Sequence, residues 1–313
     1  MRVQLFNPPV HHYSGVHYVI NPQLGLPILA AVLEKAGHTT EIVDLEALRV
    51  SPAKLADSFL RQQDRWPDVV GFSCLSSNAR GVRESISALR GAGYQGYIMV
   101  GGPHITLFPE QGLEMGADVA VVGECEGNIA DIVERQPQKA IVHGQAAPIE
   151  DIPAPLWAKH RPAPNHYGGN LPRLAMPEGI TMWSRGCPGA CIFCANPVFR
   201  HQRIRHRPRE NIRDELLAIG RHNVRGLFVY DDELVAPGNE EWLMGVCEHI
   251  ADLNYEWKCQ GRCSSKHVTG ELMRAMYRAG CRAVMWGVES FSDNALRHMR
   301  KGITEEDIWH TLR

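Results

Sequence analysis

The chain lacks any uninterrupted apolar stretch approaching the roughly 18 residues of a membrane span. Its first apolar run, MRVQLFNPPV, has the length of a strand and is stopped by two prolines, so it reads as structure and not as a leader. Charge of one sign is lacking too: 33 Lys and Arg stand against 35 Asp and Glu. The strongly basic field that non-specific nucleic-acid binding requires is therefore missing, and the expected partner is a small-molecule or peptide substrate, with no nucleic acid and no membrane. Nine cysteines do not make an even framework. Three of them crowd into one short stretch, where neighbouring loop thiols suit a metal cluster better than disulfides, so a reducing, cytoplasmic setting is expected.

What is present is enough for two cores. With 313 residues, 44% apolar, the natural division is two domains. Residues 1–136 alternate β-branched runs with amphipathic helical patterns, as βαβ units on a parallel sheet do. The expected strands are Val3 to Phe6, Thr40 to Asp44, Val69 to Ser73, Tyr97 to Val100 and Val119 to Val122. Leu29 and Leu33 fall one helical turn apart before Gly37, and Ile86 and Leu89 repeat the pattern before Gly91. This reads as a doubly wound, Rossmann-like α/β domain of five strands, whose ligand belongs beyond the strand ends at Phe6, Ser73 and Val100. Residues 137–177 hold eight prolines and read as a linker largely without regular structure. Residues 178–313 begin a second βα series, with strands at Ile180 to Trp183, Gly226 to Tyr230, Tyr255 to Gln260 and Ala283 to Val288. Its helices include one opened by Pro208 with Ile212, Leu216 and Ile219 inward, one from Glu271 to Ala279, and a last one starting near Thr304. Four βα units make a partial (β/α) barrel, so the chain reads as truncated at its C-terminus.

Cys187, Cys191 and Cys194 stand as CxxxCxxC directly after the first strand of that series. Three thiolates on one loop can bind three corners of a 4Fe-4S cubane and leave the fourth iron for an outside ligand. Zinc is the rival, because Cys191 and Cys194 have ribbon spacing and His201 or His206 could add a ligand; structural zinc sites, however, usually pair their ligands in two short couples. Gly186, Pro188 and Gly189 mark a loop, which disfavours a packed trio of core thiols.

This loop, its place after a barrel strand, and the aromatic Phe193 before the third cysteine resemble the radical S-adenosylmethionine superfamily. The resemblance implies that the open iron chelates the methionine amino and carboxylate groups and that an electron from the cluster cleaves the sulfonium to a 5'-deoxyadenosyl radical. It also implies an electron donor such as flavodoxin or ferredoxin. Tyr230-Asp231-Asp232-Glu233 resembles the acidic motif that receives the methionine amino group, with Asp232 and Glu233 as contacts. Arg262, after the third strand, is placed to pair with the methionine carboxylate. Gly287-Val288-Glu289-Ser290 resembles the GxES motif, giving Glu289 and Ser290 as further contacts. Any one acidic strand end could be a solvated cap; three in register after a cysteine loop are harder to read that way.

In the first domain, Ser73-Cys74-Leu75 and Gly101-Gly102-Pro103-His104 resemble the S-x-L and G-G elements of cobalamin-binding domains. The D-x-H-x-x-G motif, whose histidine ligates cobalt, is absent. In its place stand Asn7-Pro8-Pro9 and Leu24-Gly25-Leu26-Pro27, as in the cobalamin-dependent branch of the radical family, which implies a base-off cobalt without a histidine ligand. The implied cobalamin contacts are Asn7, Pro8, Ser73, Leu75, Gly101, Gly102 and His104. His11, His12 and His17 are loop histidines and read as mostly solvated. Gly123-Glu124-Cys125-Glu126-Gly127 departs from the family at Cys125. With only Cys74 and Cys125 in this domain a second cluster cannot be built, which disfavours a methylthiotransferase. Cys247, Cys259, Cys263 and Cys281 read as small buried hydrophobes, Trp257 and Trp286 as core, and Arg200 to Arg209 as a solvated, charged approach to the next helix.

The resulting expectation is a cobalamin-dependent radical enzyme that methylates an unactivated carbon. A radical cyclase of the tetrapyrrole ring-forming type is the alternative, and a cobalamin- or cluster-carrying fragment without turnover is a third reading.

Overall fold

The computed structural model describes residues 1–10, 21–167, 172, 174–199 and 203–313. His11, His12, His17 and His201 lie outside them. The chain divides into two compact units, Met1–His166 and Tyr167–Arg313.

In the first unit the elements run β1 (Arg2–Asn7), α1 (Gly25–Lys35), β2 (Thr39–Asp44), α2 (Pro52–Leu60), β3 (Val69–Ser73), α3 (Ala79–Gly91), β4 (Tyr97–Gly101), α4 (Pro103–Leu107), α5 (Pro109–Glu114), β5 (Val119–Val122), α6 (Ile129–Arg135), β6 (Ala140–His143) and β7 (His160–Arg161). The strands form one sheet of order β6-β5-β4-β3-β1-β2-β7, every pair parallel. The central strands β3, β4 and β5, buried on both faces, are near-continuous apolar runs, as parallel strands are. On one face Leu26, Ala30 and Leu33 of α1 and Ile129, Ile132 and Val133 of α6 pack against Leu5, Ile42 and Met99. On the other, Leu55 and Phe59 of α2 and Val82, Ile86 and Leu89 of α3 pack against Phe6, Val70 and Phe72. Gly37, at φ +89, ends the turn after α1 in a conformation that favours glycine.

The sheet has seven strands where five were expected. The two extra ones, β6 and β7, fall inside residues 137–177, read from sequence as a linker largely without regular structure. Both lie at sheet edges; β6 buries alternate residues only in part, and β7 is two residues long and followed by Pro162. Short edge strands beside proline carry little periodic signal.

The second unit contains β8 (Glu178–Thr181), β9 (Ser184–Arg185), β10 (Arg205–His206), α7 (Arg209–Gly220), β11 (Gly226–Val229), α8 (Glu240–Ile250), β12 (Glu256–Gly261), α9 (Gly270–Arg278), β13 (Cys281–Trp286), α10 (Asp293–His298) and α11 (Glu305–Leu312). Strands β8, β11, β12 and β13 are parallel neighbours in chain order, the arrangement of successive βα units. Thr304 caps α11 and exchanges hydrogen bonds with Asp307 in a capping box. Trp183 and Trp257 are fully buried, ring against ring at 5.0 Å. Lys258 and Glu178 form an equally buried ion pair at 2.7 Å. Arg207 corrects the solvated reading of its basic stretch: it is buried and pairs with Glu215. Cys247, Cys259, Cys263 and Cys281 are buried. No helix among the described residues is long and apolar enough to cross a membrane.

Candidate functional site

The cysteine loop follows β8 but does not hang free. Its two ends are stitched together by β9 and β10, which pair antiparallel as Arg205 with Arg185 and His206 with Ser184. Asp231, at the end of β11, clamps the entry: its carboxylate accepts from Trp183 N at 2.7 Å and from both the N–H and the hydroxyl of Ser184. Burial pushes this carboxyl up to about 7 despite the three donors. Asp232 then accepts from Gly186 N at 3.1 Å, on the loop itself.

Within the loop, Cys187 is half-buried, Cys191 buried and Cys194 exposed. Gly189 N donates to Cys187 Sγ at 3.3 Å and Asn196 N to Cys194 Sγ at 3.4 Å. Such N–H donors steady thiolate sulfur. A Cβ on Gly189 would stand 2.5 Å from Arg262 Nη2 and 3.2 Å from Cys187 Sγ, so any other residue here would displace the guanidinium. Among the described residues no three His, Cys, Asp or Glu side chains converge on a single ion, as zinc would require. A cubane instead takes one thiolate per iron, which three sulfurs spread along a loop can satisfy. His206, offered as a zinc ligand, is held by Asn239 at 2.7 Å and stacked on Trp242. Three loop thiolates, with His206 engaged elsewhere, are the donor set of a cubane that keeps one iron open.

The strand ends around the loop carry paired charges. Glu233 forms an ion pair with Arg262 Nε and accepts from Arg262 Nη2 at 3.1 Å. Glu233 also lies 3.0 Å from Cys187 Sγ, and burial together with that contact pushes the thiol up to about 12. Glu289, at φ +60, pairs with Lys301 Nζ at 3.0 Å. Ser290 N turns back onto Val288 O at 2.7 Å. Phe193 is exposed on the loop, with Lys301 Nζ 6.0 Å from its ring centre. Asp232, Glu233, Arg262 and Phe193 thus all join one cluster around the cysteine loop, and Glu289 reaches it through Lys301. Sequence reasoning missed Asp231 and Lys301. The acidic run holds three carboxylates, and nothing in its spelling says that the first is the buried clamp; Lys301 lies outside every motif, eleven residues past Ser290.

In the first unit, Asn7, Ser73 and Gly101 stand at the carboxyl ends of β1, β3 and β4. The strand order reverses between β1 and β3, the switch point where such sheets bind ligands. Asn7 donates to Asp44 at 2.9 Å and accepts from Gln23 at 2.7 Å. Pro8 is buried beside it, and the carbonyl of Pro9 lies so close to Gly81 of α3 that no Cβ fits between them. Asn78 ties the next loop together, accepting from Leu75 N at 2.8 Å and donating to Ser73 O at 3.3 Å. Gly102, at φ +102, lies against Cys74, whose carbonyl would be 2.9 Å from a Cβ. The glycines thus let the loops at the switch point pack closely on one another, beside the strand ends where a ligand of such a sheet belongs. His104, on α4, is buried with both ring nitrogens engaged, by Ser76 at 3.0 Å and Gln111 at 2.9 Å, so it ties the loop after β3 to α5 and has no nitrogen to spare for a metal. Cys125 is core.

Comparisons with known proteins agree with both units. The model of the B12 binding domain matches residues 14–133, and that of the radical SAM superfamily matches residues 181–313. An uncharacterized methyltransferase of Pyrococcus horikoshii is 24% identical over 98% of this chain and 69% of its own length. The hopanoid C-3 methylase of Methylococcus capsulatus is 25% identical over 97% of this chain and 60% of its own. The radical S-adenosylmethionine methyltransferase TsrM of Kitasatospora setae superposes with a TM-score of 0.78 at 19% identity, covering 100% of this chain and 65% of TsrM, so the two share a fold. The chain thus spans about two thirds of these relatives. A B12-binding sheet with its loops at the switch point, joined to a radical SAM unit whose cysteine loop fits a cubane, makes this chain a member of the cobalamin-dependent radical S-adenosylmethionine enzymes.

Proposed function

We propose that the chain is the catalytic part of a methyltransferase that acts on an unactivated carbon of a small-molecule or peptide substrate, with S-adenosylmethionine as cosubstrate and a flavodoxin or ferredoxin as electron source. The observation that carries this reading is the Glu233–Arg262 pair beside Cys187, an anion and a cation side by side where an amino acid headgroup would chelate iron. When bound, the cluster supplies the electron that breaks a carbon–sulfur bond of the cosubstrate, and cobalamin supplies the methyl group.

The chain's own part is binding and orientation. Cys187, Cys191 and Cys194 hold three irons. With Cys187 a thiolate its hydrogen bond to Glu233 would be lost and the Glu233–Arg262 pair would remain; Glu233 would take the methionine ammonium and Arg262 the methionine carboxylate. Phe193, Asp232, Glu289 and Ser290 complete the enclosure. In the first unit Asn7, Pro8, Ser73, Leu75, Gly101 and Gly102 line the cobalamin cradle, and His104 ties the loop after β3 to α5 from within the fold.

The test is electron paramagnetic resonance of anaerobically reconstituted, reduced protein loaded with cobalamin, with and without S-adenosylmethionine. A cluster signal that shifts on adding the cosubstrate, beside a base-off cobalt(II) signal without nitrogen splitting, is expected. Incubation with methyl-labelled S-adenosylmethionine should then place the label on cobalt. A cluster without bound cobalamin removes methyl transfer, cobalamin that never takes up the label favours cyclisation, and zinc in place of iron overturns the reading.

A further inference from the structure

We infer that Lys301 is a positioning residue of the S-adenosylmethionine site, holding Glu289 through its ammonium and Arg262 through its backbone carbonyl; the inference rests on the function proposed above. The segment Met299 to Gly302, nine to twelve residues past Ser290 and outside every cofactor motif, touches the cysteine loop, Arg262 and Glu289. Met299 O accepts from Ile192 N at 3.1 Å, inside the cysteine loop. Lys301 O accepts from Arg262 Nη1 at 2.9 Å. Lys301 Nζ reaches Glu289 Oε1 at 3.0 Å and lies over the Phe193 ring. It also fills the space beside Gly287, where a Cβ would stand 2.7 Å from the ammonium.

The placement is held from behind. Lys301 N donates to Leu296 O, Gly302 turns at φ +72, and Ile303 is buried with Leu296, Cys263 and Ile308. The Lys301 side chain is only 12% exposed, against 38% for Glu289. A cation that enclosed must keep its partner, so the ammonium restrains the more exposed carboxylate. Glu289 is further constrained by its left-handed backbone, which fixes where its side chain starts. Lys301 thereby aims one cosubstrate-facing carboxylate and, through the same residue's carbonyl, one guanidinium.

The test uses the full chain with its reconstituted cluster and follows the cosubstrate-induced change in the cluster signal as S-adenosylmethionine is titrated. Lys301→Met removes the ammonium and keeps the carbonyl. It is expected to raise the dissociation constant about tenfold with iron and sulfide content unchanged, and Lys301→Arg is expected to recover most of the loss. Glu289→Gln is expected to weaken binding similarly, and the double variant no more than either single change, because one acts through the other. Unchanged binding in Lys301→Met, loss of the cluster itself, or additive losses in the double variant would each overturn the inference. A parent chain that carries a cluster but never responds to the cosubstrate would instead remove the family reading on which it stands.

Discussion

The two units prepare for their ligands by opposite means. At the switch point of the first sheet the groups are neutral or paired within the chain: Asn7 between Asp44 and Gln23, His104 between Ser76 and Gln111, and glycines where loop backbone packs on loop backbone. Around the cysteine loop of the second unit they are charged and close-packed, with Glu233 on Arg262, Glu289 on Lys301 and Asp231 buried. The contrast teaches that neutral groups and close-packed loop backbone face a large cofactor, whereas a zwitterionic cosubstrate calls for charges of both signs. Those charges come already paired, because unpaired ones would be costly to bury.

Replacing a cysteine ligand should break this contrast most completely. Cys194→Ala is expected to abolish the cluster signal and all 5'-deoxyadenosine formation while cobalamin still binds, measured by iron content and cobalamin absorbance; loss of cobalamin as well would mean that the two sites do not stand apart.

Next comes the ion pair inside the second unit. Lys258→Met leaves Glu178 uncompensated in the core and should cost roughly 3–5 kcal/mol in denaturant unfolding, and adding Glu178→Leu should restore much of it.

Asp231→Asn sets an amide among donors that want an acceptor, at a cost of about 1–3 kcal/mol near neutral pH. Its pH profile is the sharper readout. Asp231 titrates near 7 in the fold and near 3.9 when unfolded, so the folded chain holds the proton more tightly between those values. Stability contributed by this group therefore falls as pH rises from about 4 to 7 and is flat above, and the Asn variant should lose that slope. An unchanged slope would show that Asp231 is ionised throughout.

The smallest effect is expected at His104. Its replacement by Ala should loosen the loop after β3 and weaken cobalamin binding by a few-fold, yet leave the cobalt(II) spectrum unaltered; a changed nitrogen splitting would make it a ligand after all.

Most of the parallel architecture was legible because buried strands are apolar runs and the helices between them keep a 3.6-residue face. Where burial is one-sided, as in β6, or the strand is two residues long, as in β7, that signal fails, and the first sheet gained two strands unseen. The same logic hid Arg207. A basic run looks solvated until Glu215, on the following helix, is seen to meet it in the core.

The sequence by itself determined the chemistry. Three cysteines at their spacing, acids and an arginine at the ends of strands, and paired glycines after β4 are local facts, and local chemistry is written in residue types. Only the tertiary structure decided who holds whom: that Asp231 clamps the loop and Asp232 touches it, that β9 and β10 close its base, and that Lys301 returns to Glu289 from twelve residues along the chain. Such pairings depend on which strand ends become neighbours, and that follows from packing the whole unit and not from any segment read alone.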